Sequence, residues 1–148
     1  GVHLHARPQL EQARRSGHTV ALVMFDLDEF KAINDRFGHA TGDWVLQKVA
    51  EACQGLCRRG DLFGRLGGEE FALLLPETNL AGATEIAVRL RRSCHTLAVP
   101  GHLAIRVTVS IGVTQVRSDD TSLDDVLSRV DATLYRAKNN GRDRVEVA

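Results

Sequence analysis

The run Thr19-Val20-Ala21-Leu22-Val23-Met24-Phe25 is apolar from end to end and of strand length, the pattern of a strand buried on both faces. It delivers Asp26 at its end. Beyond it Phe30, Ile33 and Phe37 recur at helical spacing, with Asp28 available as a cap and Gly38 as a stop. A second helix is predicted from Thr41 to Cys57, where Val45, Val49, Cys53 and Leu56 form one stripe and Leu46, Ala50 and Cys57 lie beside it. Two apolar runs follow, Leu62 to Leu66 and Phe71 to Leu75, and they meet across Gly67-Gly68, which suits the tip of a hairpin. Pro76 ends the second run. Asn79 caps a helix to Leu97 with Ile86, Leu90 and Leu97 inward and Arg89, Arg91 and Arg92 outward. From Leu103 to Val116 apolar and polar residues alternate as in a strand, and Gly112 marks a bulge or a close approach. Ser122-Leu123-Asp124-Asp125 resembles a capping box, opening a helix lined by Leu123, Val126, Leu127, Val130 and Leu134 that ends near Asn140-Gly141. Val145 to Val147 is a last strand. At the other end, residues 1–17 read as a linker with a short helix from Pro8 that carries Leu10 and Ala13.

The element order is therefore α-β-α-α-β-β-α-β-α-β. It predicts an α/β sandwich of the α+β kind: a central, mainly antiparallel five-stranded sheet surrounded by helices. The 148 residues make one domain, 1–148, with enough chain for one sizeable core. A hydrophobic content of 43% with 26% charged residues excludes a disordered chain. Lys+Arg and Asp+Glu are 19 each, so no global field draws the protein to nucleic acid or to a membrane, and an anionic ligand must be held by local charge. No apolar run approaches the roughly 20 residues that span a bilayer. Cys53, Cys57 and Cys94 are odd in number and fit reduced, mostly buried thiols, which points to the cytoplasm. The abrupt start is that of a piece cut from something longer.

Candidate chemistry gathers at Gly67-Gly68-Glu69-Glu70. Alone, such a turn is a solubilising feature. If the first strand and the hairpin lie side by side, however, Asp26 and Glu69 or Glu70 come together at one edge, and three carboxylates that close cannot all stay ionised without a cation. Hard oxygen donors with no His or Cys among them favour Mg²⁺ or Mn²⁺ over zinc, and magnesium commonly completes its shell with substrate phosphates. Neither Gly-x-x-x-x-Gly-Lys-Ser/Thr nor Gly-x-Gly-x-x-Gly occurs. Polymerase-like or cyclase-like phosphoryl transfer remains.

At this point the chain resembles the GGDEF-domain diguanylate cyclases in their GGEEF form. The resemblance runs from Val20 to Val147 and rests on blocks in the right order: Asp26 to Asp35, Phe37-Gly38-His39, Gly42-Asp43, Asp61 with Arg65 to Phe71, Ser110 to Val113, and Asp131 with Leu134 to Lys138 and Gly141-Arg142. It implies a fold like that of nucleotide cyclases and polymerase palms. It also implies that two GTP molecules, one on each subunit of an antiparallel homodimer, condense to cyclic di-GMP. Asp26, the Leu27 carbonyl and Glu69 would be metal ligands for two ions, with Glu70 a further ligand or the base that deprotonates the attacking hydroxyl. Asn34 and Asp43 would read the guanine edge, since guanine offers N–H donors to a carboxylate. Phe30, Lys31, Lys138 and Arg142 would lie at the substrate, the three cations on its phosphates, and the bare Gly67-Gly68 backbone could approach the nucleotide.

Each residue has a duller rival. Lys138 and Arg142 could complement the negative end of their helix, Asp43 could be a first-turn acid, and Asn34 an exposed helix residue. His39 reads as structural, and Trp44 and Tyr135 as packing residues. Arg58-Arg59-Gly60-Asp61 matches the Arg-x-x-Asp pattern that binds inhibitory product in this family, with Arg89 as a third member; the rival is a loop salt bridge. The departures are N-terminal: Leu4 and His5 stand where Asn and Arg are expected, and the upstream sensor or receiver module that such cyclases carry is not in this chain. Competing functions are a domain that binds cyclic di-GMP or GTP without turnover, and a cyclase for another base, against which Asp43 argues.

Overall fold

In the computed structural model, residues 7–148 are described. Ten elements follow in the predicted order: α1 (Arg7–Ser16), β1 (Val20–Leu27), α2 (Phe30–Phe37), α3 (His39–Leu56), β2 (Leu62–Gly67), β3 (Glu70–Pro76), α4 (Leu80–His95), β4 (Val109–Gln115), α5 (Leu123–Asn139) and β5 (Arg144–Val147). The expectations on Leu4 and His5 fall outside the described residues.

The sheet runs β2-β3-β1-β4-β5, with antiparallel neighbours except for β4 and β5, which are parallel. β1 is central, and every one of its residues is buried. Its alternate side chains serve two cores, as the unbroken apolar run requires. Ala21, Val23, Phe25 and Leu27 pack with Val45 and Val49 of α3 and Ala87 and Leu90 of α4. Val20, Leu22 and Met24 pack instead with Val126, Val130 and Leu134 of α5. Asp26 continues the second set, so it emerges on the α5 side.

Four expectations need correcting. Asp28 does not cap α2: the residue before that helix is Glu29, in the left-handed region at φ 55° and without a side-chain cap. α3 starts at His39, so Asp43 sits past the first turn and is not a first-turn acid. β4 is confined to Val109–Gln115 because β1, its partner, ends at the Leu27–Val109 pair and turns away; Leu103, left without a strand to join, is 90% exposed. The hairpin tip is Gly68-Glu69, since Gly67 still pairs with Glu70 across a register shift after Arg65.

Cys53 and Cys94 are buried thiols, and burial pushes Cys94 up to about 12. Among the described residues no helix is long and apolar enough to cross a membrane.

Candidate active site at the ends of β1 and β3

The antiparallel register of β1 and β3 closes on Asp26 opposite Glu70. Residues directly opposite on one face lie within ~5 Å of each other, so the sheet alone brings two carboxylates together. Leu27 N–H donates to the Glu69 carbonyl at 3.3 Å, which fixes the hairpin tip against the end of β1. Arg65 Nε donates to the Gly68 carbonyl at 2.7 Å and braces the turn from the other side. Gly68 is left-handed at φ 52°, and an added Cβ there or at Gly67 would meet no protein atom within 4 Å. The glycine backbone therefore borders open space that a ligand can enter.

Asp26 is only 7% exposed. Its Oδ2 forms an ion pair with Lys138 of α5, while its Oδ1 is buried without a partner. A buried orphan oxygen costs on the order of 1–3 kcal/mol, which marks a place made for something else. Burial pushes the Asp26 carboxyl up, the Lys138 ammonium pulls it down, and Glu69 and Asp28 push it up again, for a net rise. Glu70 is raised as well, by burial first and then by the negative charge of Asp26, with Asp131 adding to it against Lys138. The cluster is thus short of positive charge even with Lys138 in place.

Hard oxygen donors, an unsatisfied buried oxygen and raised carboxyls suit a divalent cation held by Asp26, the Leu27 carbonyl and the Glu69-Glu70 pair. Among the described residues no three acidic, His or Cys side chains make a ready cage. The expected trio of converging carboxylates is in this sense reduced to the Asp26–Glu70 pair with Glu69 at the tip. Magnesium seldom uses a cage made wholly of protein, and substrate phosphates normally supply the remainder of its shell.

The remaining candidates lie on α2, on α3 and in the loop after α5. Asn34 of α2 packs against Gly42 of α3 so closely that a Cβ on Gly42 would fall 1.8 Å from Asn34 Oδ1 and 3.3 Å from the Phe30 ring. Asn34 Oδ1 is the second buried orphan. The need for glycine at 42 was invisible in the sequence, because it arises only from the packing of two helices. Asp43 lies exposed and lines a cavity of about 290 Å³ with Leu46, Gln47, Phe63, Arg65 and Phe71, which Asn34 does not reach. Lys31 is exposed near the start of α2. Arg142, at φ 62°, brings Nε to 3.6 Å from Glu29 Oε1.

Asp28 is the functional neighbour that sequence reasoning missed. It is buried and accepts from Thr108 Oγ1 at 2.7 Å, Ser110 Oγ at 2.6 Å and the Asp143 N–H at 2.9 Å. It ties the start of β4 and the turn after α5 to the end of β1 beneath the site. Tyr135 departs from its expected packing role and stands 65% exposed on α5, whereas Trp44 does pack at the edge of the core.

The Arg58–Asp61 turn is distant in kind from this site. Asp61 Oδ2 accepts from the Arg58 main-chain N–H at 2.7 Å and from its Nε at 3.4 Å, and the Asp61 side chain is 2% exposed. Arg58 Nη2 also donates to the Pro76 carbonyl at 3.1 Å and to Thr78 Oγ1. The duller reading, a loop ion pair, is present in the structure. Arg89 stands exposed on α4, outside that turn.

Comparison with known proteins adds the lineage. The family model "Diguanylate cyclase, GGDEF domain" matches residues 2–144. Diguanylate cyclase VdcA of Vibrio cholerae is 42% identical over 134 residues, which cover 88% of this chain but only 39% of that relative. The active GGEEF domain of a diguanylate cyclase from Vibrio cholerae superposes with a TM-score of 0.90 at 31% identity, covering 97% of this chain and 91% of that one. The GGDEF domain of DgcB from Caulobacter crescentus, in complex with c-di-GMP, does so with a TM-score of 0.89 at 29% identity, over 97% of this chain and 85% of that one. With residues 2–144 matched by the family model, the chain belongs to the GGDEF-domain family of diguanylate cyclases.

Proposed function

We propose that this domain condenses two GTP molecules into cyclic di-GMP and two pyrophosphates. The buried, unpartnered Asp26 Oδ1 across from Glu70 is the observation that carries the reading. A structural acid would not be left with an empty lone pair and a raised carboxyl beside a second raised carboxyl.

Three groups fit a triphosphate beside this pair. The N-terminus of α2 has no side-chain cap, so the main-chain N–H groups of Phe30, Lys31 and Ala32 are available to phosphate oxygens. Lys31, Lys138 and Arg142 bring positive charge from two helices and a loop. The open Gly67-Gly68 backbone lets the nucleotide approach the hairpin. Asn34 and Asp43 would read the guanine edge, with Asp43 accepting from N–H donors that an adenine cannot supply in the same pattern.

In each half-reaction the 3′-oxygen of one GTP forms a bond to the α-phosphorus of the other, the bond to pyrophosphate breaks, and Glu70 takes the hydroxyl proton. Its raised carboxyl makes it a stronger base than an ordinary glutamate. Mg²⁺ or Mn²⁺, two ions bound through Asp26, the Leu27 carbonyl, Glu69 and Glu70, would polarise the phosphate and neutralise the leaving group. One chain presents one GTP, so a homodimer is required for turnover. Product would inhibit at Arg58, Asp61 and Arg89, and an upstream sensor or receiver domain of the longer parent would control dimerisation in the cytoplasm. The chain spans well under half of the curated relative's length, in keeping with such a parent.

The test is incubation of purified protein with GTP and Mg²⁺, followed by separation of nucleotides. Cyclic di-GMP and pyrophosphate in a one-to-two ratio are expected, with none from Asp26→Ala. Bound but unconverted GTP would leave a binding module instead.

A further inference from the structure

Gly141, Arg142 and Asp143 are all left-handed, at φ 119°, 62° and 47°. Two consecutive non-glycine residues in that region carry strain that persists only where the surroundings over-determine the backbone. Here the surroundings do. Arg142 N–H donates to the Ala137 carbonyl at 3.0 Å, closing the end of α5. Asp143 N–H donates to Asp28 Oδ2 at 2.9 Å, and Asp28 is itself held by Thr108 and Ser110. From the far side α4 reaches in: Arg91 Nε donates to both the Asp143 carbonyl and its Oδ1 at 2.9 Å, and His95 Nε2 lies 2.6 Å from the same Oδ1. Burial would raise the Asp143 carboxyl, but the bonds from His95 and Arg91 hold it below the usual carboxylate range.

One residue is therefore gripped through its N–H by Asp28, just past the end of β1, and through its carbonyl and carboxylate by α4. Its neighbour Arg142, whose guanidinium faces Glu29 at the start of α2, has its backbone fixed by that grip. Without it the strained turn would relax, and a long flexible side chain would have to be ordered anew at each binding event.

We propose that Asp143, clamped by Arg91 and His95 of α4, is a positioning residue that aims Arg142 at the substrate triphosphate. The inference rests on the reading of Arg142 as a phosphate-binding residue. α4 thereby acts as a strut for the substrate site although none of its own side chains need touch the nucleotide.

A double-mutant cycle on GTP turnover with Mg²⁺ tests it. Asp143→Ala is expected to raise KM for GTP about fivefold while kcat stays within about twofold, since only an orientation made before the chemical step is lost. Asp143→Asn keeps an acceptor for Arg91 and should return KM close to the parent value. In an Arg142→Ala background, Asp143→Ala should add nothing. An unchanged KM in Asp143→Ala, or the same rise with Arg142 already removed, would overturn the clamp. If Arg142→Ala itself leaves KM unaltered, the phosphate role of Arg142 fails first and the clamp with it. Should Asp143→Ala not fold, Arg91→Ala removes two of the bonds, spares the buried Asp143 N–H, and enters the same cycle.

Discussion

Asp26 on β1 and Glu70 on β3 are directly opposed in the antiparallel register, two acids in the place where cross-strand pairs normally attract. Both carboxyls are raised, chiefly by burial and then by neighbouring negative charge. A raised acid stabilises the fold only when protonated. Below the ordinary carboxylate value near 4 both folded and unfolded states are neutral and the penalty is absent; it grows as pH rises through that value to the raised one and stays in full at neutral pH. Glu70→Gln should therefore raise the melting temperature at pH 7, with the gain fading in acid. Product formation should fall by at least ~10²-fold. A stable variant without that gain, or one that still makes product, would remove the acid pair from the mechanism.

Arg58→Ala separates the two readings of the Arg58–Asp61 turn. Its bonds to Asp61, Pro76 and Thr78 predict a stability loss of about 1 kcal/mol whatever else it does. If the turn also binds product, added cyclic di-GMP will raise the melting temperature of the parent and not of the variant. Equal shifts in both proteins would reduce the turn to a loop ion pair.

What the sequence disclosed was what local pattern controls. An unbroken apolar run located β1, apolar periodicity located α3 and α5, and the residue types around Gly67-Gly68 announced an anionic hairpin. The structure's additions come from contacts between distant segments. Asp28 looked like a helix cap because Ser, Thr, Asp and Asn before an apolar helix usually are caps, but its carboxylate is claimed by Thr108, Ser110 and Asp143. Tyr135 looked like a packing residue because aromatics usually are, yet it falls on the outer side of α5, away from the Val130 and Leu134 face. The tip of the hairpin moved by one residue because a register shift after Arg65, which no composition rule encodes, lets Gly67 stay paired.

A second charged contact lies far from the acid pair in the chain. Arg129 of α5 donates to both oxygens of buried Asp120, through Nη1 at 2.7 Å and Nη2 at 3.0 Å, and also to Thr114 and the Gln115 carbonyl. The bond from Arg129 outweighs burial and holds the Asp120 carboxyl below its usual value. A depressed acid contributes stability above its unfolded value near 4 and loses it as pH falls through the folded one. Arg129→Met should cost about 3 kcal/mol at pH 7, because it strands a buried carboxylate. The loss should shrink at pH 3. A denaturant midpoint that is equally displaced at both pH values would mean that packing of the arginine stem, not its charge, carried the effect.

Gly112 links the core to the site. It pairs with Met24 in an unbroken register, so it marks a close approach and not a bulge. A Cβ at this position would lie 2.6 Å from Leu134 N and 2.9 Å from the Val130 carbonyl oxygen, both main-chain atoms of α5. Backbone cannot swing aside as a side-chain tip can, so Gly112→Ala must push the whole helix off the sheet. Overpacking of this kind costs about 2 kcal/mol, a fall of roughly 6 °C in melting temperature for a domain of this size. The displaced helix is the one that carries Lys138, whose ammonium meets Asp26. KM for GTP should therefore rise together with the loss of stability, whereas a core substitution that leaves α4 and α5 seated, such as Val99→Ala beyond the end of α4, should lower stability without moving KM. If Gly112→Ala lowers stability but leaves KM at the parent value, the seating of α5 against β4 does not set the position of Lys138, and the sheet-to-site coupling argued from this contact is wrong.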